Sequence, residues 1–291
     1  MFPASFEYHS PGTLAEAVAI LGRLKDEAKV LSGGQSLLPL MKLRLGQPGH
    51  LVDIGRIPGL DRIEEKDGFL RIGARTRESA LEASEIVRTR YPILADATAV
   101  IADPLVRNMA TVGGNLAHGD PANDHPAVML ALGAKIVATG PKGQREIPVE
   151  SFFTGLFATA LQPDEILTEI RIPVPPARSG GAYLKLERKV GDFATAAAAV
   201  QLTLSSSGAV ERAGIGLTAA GPTPVKATEA EKYLAGKKID DATVAEGARL
   251  AAGAAKPSAD RRGSVEYKRE MARVLTARAI RKAAERAKGG R

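Results

Sequence analysis

Apolar residues at positions 14, 17, 18 and 21 recur with the spacing of one helix face. Thr13 and Glu16 stand at the two positions of a capping box, so the pattern predicts a helix over 13–24. The apolar run 28–31 predicts a short strand, 37–42 a helix with Ser36 as its N-cap, and 51–54 a further strand. Residues 63–72 read as a hairpin turned by Lys66-Asp67-Gly68. Helical pieces follow from 77 to 102. Residues 103–123 are dense in Gly, Pro, Asn and Asp and have no period, so they read as a long loop, a kind of segment that usually serves function. A helix over 127–132, a second hairpin (135–139 with 146–147) and a strand over 165–172 complete this half.

Residues 173–181, Pro-Val-Pro-Pro-Ala-Arg-Ser-Gly-Gly, fit neither a helix nor a central strand and read as an interdomain linker. Strands are expected at 183–188, 196–204 and 210–219, then helices near 227–234, 242–252 and 265–287. Strands first and helices later predict an α+β C-terminal domain with a three-stranded antiparallel sheet. The expected division is 1–177 and 178–291. The longest apolar stretch, 193–204, is interrupted by Thr195, Gln201 and Thr203 and falls far short of the ~20 residues of a membrane span. The first residues lack the basic and apolar regions of a secretory signal. A soluble, cytoplasmic protein is expected.

Composition narrows the chemistry. Apolar residues make up 44% and charged residues 25% of 291, ordinary for a globular chain. Cysteine is absent, which removes disulfides and any thiolate-held metal or iron–sulfur centre from this chain. Redox chemistry would then need an organic cofactor or a partner's centre. The net charge of +7 lies largely in residues 261–291. With no tryptophan and 4% aromatics there are few platforms for stacking bases, so a solvated helix face is expected there and no nucleic-acid partner. The basic last helix suits a solubilising role and docking to a sister subunit equally well.

The strongest chemical signal is a pair of double-glycine loops, Ser32-Gly33-Gly34-Gln35-Ser36 and Thr111-Val112-Gly113-Gly114-Asn115. Glycine allows close backbone approach and positive φ, and successive N–H groups can cradle an anion. Two such loops could clamp the pyrophosphate of a dinucleotide. No Walker A sequence is present, and the formal dinucleotide match at 214–219 runs into Gly221, Pro222 and Pro224, so it reads as a strand. The stretch 118–125 carries two His and two Asp, but loop formation and helix initiation account for them, and His9 and His50 read as isolated. No metal site is expected, nor any catalytic acid, base or nucleophile.

Together, the loop pair, Ile101-Ala102-Asp103-Pro104, residues 115–121 and the run 189–196 resemble the FAD-binding flavoprotein subunits of the molybdenum hydroxylases, nearest those of the aerobic carbon monoxide dehydrogenases. The resemblance implies a vanillyl-alcohol-oxidase (PCMH-type) FAD domain in two lobes, about 1–55 and 56–177, ahead of the C-terminal domain. It implies that the two glycine loops hold the FAD pyrophosphate and that Ile101 and Ala102 line the cleft. It also implies that Asp124 reaches the ribityl region, with Leu167 packing near the cofactor, Lys185 at its edge and Phe193 over the ring. Phe193 stands where the family often has tyrosine, and Gln35 where histidine is common.

The implied partners are a molybdopterin-carrying large subunit and an iron–sulfur small subunit, in a dimer of heterotrimers with a quinone as acceptor near the inner face of the membrane. The implied role is electron transfer during carbon monoxide oxidation. Xanthine- or aldehyde-type hydroxylases and a free-standing flavin oxidoreductase are the alternatives.

Overall fold

A computed structural model describes residues 2–289; Met1, with the start of the N-terminal reading, and residues 290–291, the end of the basic segment and of the second domain, lie outside it. The first lobe comprises β1 (Glu7–His9), α1 (Leu14–Leu24), β2 (Ala28–Leu31), α2 (Leu37–Lys42) and β3 (His50–Asp53). Its three strands form a parallel sheet in the order β1-β3-β2. The capping box forms as expected: Thr13 accepts from the Glu16 N–H while Glu16 accepts from the Thr13 N–H. Helix α1 lays Ala17, Val18 and Leu21 on Val52 and Ile54 to make a small core.

The second lobe begins with β4 (Ile63–Lys66) and β5 (Phe69–Gly73), joined through Asp67 and Gly68, both at positive φ, the geometry of a tight hairpin turn. Helices α3 (Glu78–Ala83), α4 (Glu85–Arg90), α5 (Pro92–Ala99), α6 (Pro104–Arg107), α7 (Val112–His118) and α8 (Asp124–Leu132) follow. Strands β6 (Lys135–Gly140), β7 (Gly143–Pro148), β8 (Phe153–Gly155), β9 (Ala158–Thr159) and β10 (Ile166–Pro173) close the lobe. The sheet order is β4-β5-β10-β6-β7, with antiparallel neighbours.

The expected long loop at 103–123 is instead two short helices. Asp103 caps α6 at the Val106 N–H, and Thr111 caps α7 at the Gly114 N–H. Both helices are too brief to leave a periodic signature, and the glycine pair reads locally as a breaker.

The third unit contains β11 (Ser179–Leu186), β12 (Ala196–Leu204), β13 (Val210–Thr218), β14 (Val225–Lys226), α9 (Thr228–Leu234), α10 (Asp241–Ala254) and α11 (Val265–Ala287). Its antiparallel sheet runs in chain order, β14 adding a two-residue fourth strand to the three expected. Gly180 and Gly181, read as linker, belong to edge strand β11. A β-carbon at Gly180 would overlap the α11 backbone at Ala283 and Ala287, so glycine is what lets that helix lie on the strand.

Alternate residues of β12 face different cores. Ala197 and Ala199 join α5 and α8 of the preceding lobe, whereas Ala196, Ala198 and Val200 join α10 and α11. This sheet is buried on both faces, which explains the unbroken apolar character of 196–200. The formal dinucleotide motif is indeed strand β13. Its glycines admit α8, since β-carbons at Gly214 and Gly216 would overlap the carbonyls of Ala131 and Ala127.

Candidate functional site

A cleft of about 560 Å³ opens between the first lobe, the starts of α7 and α8, and the loop joining β11 to β12. Its size lies within the range of small-molecule and cofactor sites. Fifteen of the sixteen expected cofactor residues line it; the exception is Val112. That side chain is fully buried in the main core, and its N–H donates to the Thr76 carbonyl at 3.0 Å.

The two glycine loops meet but are not alike. In the first, Gly34 takes φ +76°, and the backbone N–H groups of Gly33, Gly34, Gln35 and Ser36 have no acceptor among the described residues. This is the anion-binding arrangement expected from successive free N–H groups. Ser36 stands at the N-cap of α2 as expected, but in helical conformation and without a side-chain capping bond.

At the second position there is no loop. Gly113 and Gly114 form the first turn of α7, and their donors are engaged. The Gly113 N–H reaches the Ala74 carbonyl (3.0 Å), Gly114 reaches Thr111 Oγ1 (3.2 Å), and Asn115 reaches the Thr111 carbonyl (2.9 Å). A β-carbon on Gly113 would lie 2.6 Å from Ala74, so this glycine serves helix–strand packing. What α7 offers the cleft is side chains, above all Asn115, whose Oδ1 is buried without a hydrogen-bond partner among the described residues. Leaving such an acceptor unsatisfied is costly, which marks a place where a donor belongs. The elements are locked together by Ser32 Oγ and Thr111 Oγ1, 3.0 Å apart, and by Gly33, where a β-carbon would overlap the Met109 carbonyl.

Ala102 lies in the left-handed region at φ +46°, a costly conformation for a residue with a β-carbon. Arg107 holds it there, donating to the Ile101 carbonyl at 2.9 Å while its Nε pairs with Glu82 at the same distance. Gly191 packs on Ala102 from above: at φ +83° its β-carbon would approach the Ala102 carbonyl to 2.7 Å. That contact sets Phe193, about half exposed, at the mouth.

Asp124 heads α8 and is buried. Tyr183 donates to one of its oxygens at 2.5 Å and Lys185 to the other at 3.1 Å. Burial pushes its carboxyl up, opposed by Lys185 and Tyr183. Lys185 is itself buried, donates to the Val100 carbonyl at 3.0 Å and lies 3.3 Å from Glu187. Leu167 enters the cleft where β10 slips register against β6 between Leu167 and Glu169.

Arg107 and Tyr183 carried no signal in the sequence, because their partners are remote along the chain. Gln162 and Ile166 also line the cleft, one in the turn Gln162-Pro163-Asp164 and the other at the start of β10, and that turn is the available cue in the sequence.

The His and Asp residues of 118–125 disperse. His118 packs on Phe157 with centroids 5.1 Å apart, Asp120 accepts the Ala122 N–H, and Asp124 serves the cleft. His125 is fully buried on Glu78, 2.7 Å away. His9 and His50, read as isolated, are in fact neighbours.

Free donors on one wall, a buried unpaired acceptor on the other and a long open cleft between them suit a dinucleotide with an extended polar middle. The fold and site thus define a dinucleotide-binding protein.

Residues 4–175 match the FAD-binding domain of molybdopterin dehydrogenases, and 181–283 the C-terminal domain of carbon monoxide dehydrogenase flavoproteins. The chain is 46% identical over 288 residues to the carbon monoxide dehydrogenase medium chain of Afipia carboxidovorans, covering 99% of this chain and all of that one. It is 36% identical to the 6-hydroxypseudooxynicotine dehydrogenase subunit alpha of Paenarthrobacter nicotinovorans, covering 99% and 97%. The structure superposes on carbon monoxide dehydrogenase from Hydrogenophaga pseudoflava with a TM-score of 0.96 and 47% identity, covering 98% and 99% of the two chains.

The chain belongs to the FAD-binding medium subunits of the molybdenum hydroxylases. Members of this family work within multi-subunit complexes beside a molybdenum subunit and an iron–sulfur subunit.

Proposed function

We propose that this chain holds FAD in the cleft and serves as the electron-carrying subunit of a complex that oxidises carbon monoxide. The carrying observation is the complementary pair of walls: free N–H groups from Gly33 to Ser36 for phosphate oxygens, facing the orphaned Asn115 Oδ1 for a donor. A bound flavin couples one-electron centres to a two-electron acceptor. The chain's own residues bind and orient it. Ser32 and Thr111 brace the phosphate end, Asp124 and Lys185 present a buried charge pair to the middle, and Phe193 covers the mouth.

Carbon monoxide as substrate of the complex is supported by 46% identity across the full length of a carbon monoxide dehydrogenase medium chain. Substrate chemistry then falls to a molybdopterin-bearing large subunit, and electrons arrive through the small subunit's clusters. A dimer of heterotrimers, a quinone acceptor and a cytoplasmic complex near the inner membrane face complete the reading. No helix among the described residues is long and apolar enough to cross a membrane. We further place the division between units at 177/178, in the short connection from β10 to β11.

The test is FAD titration of the purified chain followed by flavin fluorescence, with Asn115→Leu and Gly34→Val alongside. One-to-one binding weakened about tenfold or more in each variant is expected, since a lost hydrogen bond or a blocked φ near +76° is worth about 1.4 kcal/mol or more. Affinity equal to wild type in both would overturn the two-walled site. Gly33→Val is less informative, because it also disrupts the packing on Met109.

A further inference from the structure

On the parallel pair β1–β3, Glu7 lies opposite His50, and His9 follows Glu7 by two residues. Side chains alternate along a strand, so all three project from one face of the sheet. His9 Nε2 lies 3.2 Å from His50 Nδ1, and Glu7 Oε2 lies 3.4 Å from that same His50 nitrogen and 4.0 Å from His9 Nε2. These are the only three residues among those described whose histidine, cysteine or carboxylate atoms converge in this way. We propose that they form a binding site for a borderline divalent cation of the zinc class, clipping edge strand β1 to β3.

The triangle itself argues for it. Zinc bound tetrahedrally at about 2.0–2.1 Å sets its ligand atoms about 3.3–3.4 Å apart. Two of the three edges are within 0.2 Å of that spacing, and the third involves the exposed Glu7, whose carboxylate is free to turn. Without a cation, two imidazole nitrogens at 3.2 Å can share only one proton, and no donor among the described residues hydrogen-bonds the Glu7 carboxylate.

The chemistry matches as well. Two imidazoles and a carboxylate form a donor set for a borderline cation and leave a fourth position for water. The other nitrogen of His50, Nε2, faces Glu27 Oε2 at 3.9 Å. At that separation the exposed carboxylate places negative charge beside the imidazole without a hydrogen bond to it. Both histidines are partly buried, so their rings are already held before the cation arrives.

The consequence is a stability device remote in chemistry from the flavin cleft. Strand β1 is three residues long and sits at the sheet edge, with β3 as its one strand neighbour among the described residues. A cation that binds only the folded arrangement stabilises it by mass action.

The experiment is zinc titration by calorimetry of the full chain, prepared without a histidine tag, with metal content after gel filtration and the melting temperature measured in parallel. One zinc per chain and a higher melting temperature are expected, both abolished in His9→Gln/His50→Gln. Glu7→Gln, an exposed change that leaves the fold intact, should weaken binding about tenfold or more. Cobalt in place of zinc should show the visible absorption of a tetrahedral site. No stoichiometric zinc in the wild-type chain would overturn the proposal, as would zinc retained undiminished by the double variant.

Discussion

At the residue scale, buried polar groups reveal more than exposed ones. His125 and Glu78 are both fully enclosed, 2.7 Å apart, immediately beside Asp124. Burial alone would drive the imidazolium to lose its proton, but Glu78, with help from Asp124, outweighs it and holds the histidine above its ordinary value. A raised folded-state value makes the proton linkage favourable on the acid side. The contribution is complete below the unfolded histidine value of about 6.5 and is lost as pH climbs through the folded value. His125→Gln keeps a donor for Glu78 but cannot carry the charge. Denaturant unfolding at about pH 6 and about pH 9 should show the stability gap between wild type and variant narrowing at the higher pH. A gap independent of pH would mean that His125 contributes no proton-linked stability between those two pH values.

Elements depend on contacts that no local rule supplies. The segment between β11 and β12 carries Phe193 and is held by Asp192, which accepts from Arg262 at 2.9 Å, from Arg188 at 3.0 Å and from the Phe193 N–H at 2.8 Å. Arg262 foremost, then Arg188 and that N–H, hold the carboxyl down to about 2. Its contribution is present above the unfolded aspartate value of about 3.9 and disappears only as pH falls toward the folded one. Arg262→Gln should speed amide exchange across residues 187–195 at neutral pH while leaving β12 and β13 protected. Unchanged exchange there would show that Gly191 on Ala102 suffices to seat the segment.

The same scale shows how much was legible. The capping box of α1, the hairpin turn at Asp67-Gly68 and the last three helices follow local patterns and appear where those patterns put them. Helices α6 and α7 do not, because each is defined by a cap and a packing contact, not by a period. The glycine pair at 113–114 lines the cleft, but Gly113 is there to meet Ala74.

Across the whole molecule, the basic last helix proves to be an internal fastener. Arg286 bonds both oxygens of Asp96 on α5, at 2.6 and 3.0 Å, and donates to the Gly181 carbonyl at 2.7 Å, while Lys282 joins at 3.3 Å. Neither docking to a partner nor mere solubility, the two readings of its charge, anticipated this. The pair is mostly but not wholly buried, so Arg286→Met should cost on the order of 2 kcal/mol, between the values for exposed and buried pairs. Chemical denaturation measures it; a loss below about 0.5 kcal/mol would assign the docking to the alanine packing of β12 alone.

The sequence by itself determined most of the longer elements, the order of strands before helices in the C-terminal part, the family and fifteen of the residues that line the cleft. Those depend on patterns a few residues long or on motifs that carry their chemistry locally. Tertiary structure alone decided which glycines face the cleft and which face a neighbouring backbone, and that the second loop is a helix with its donors engaged. It also decided that the C-terminal sheet is covered on both faces, that His9 meets His50, and that Asp96 meets Arg286. The physical reason is distance along the chain: strand pairing brings positions 9 and 50 together and helix docking joins 96 to 286, and neither leaves any trace in the residues between.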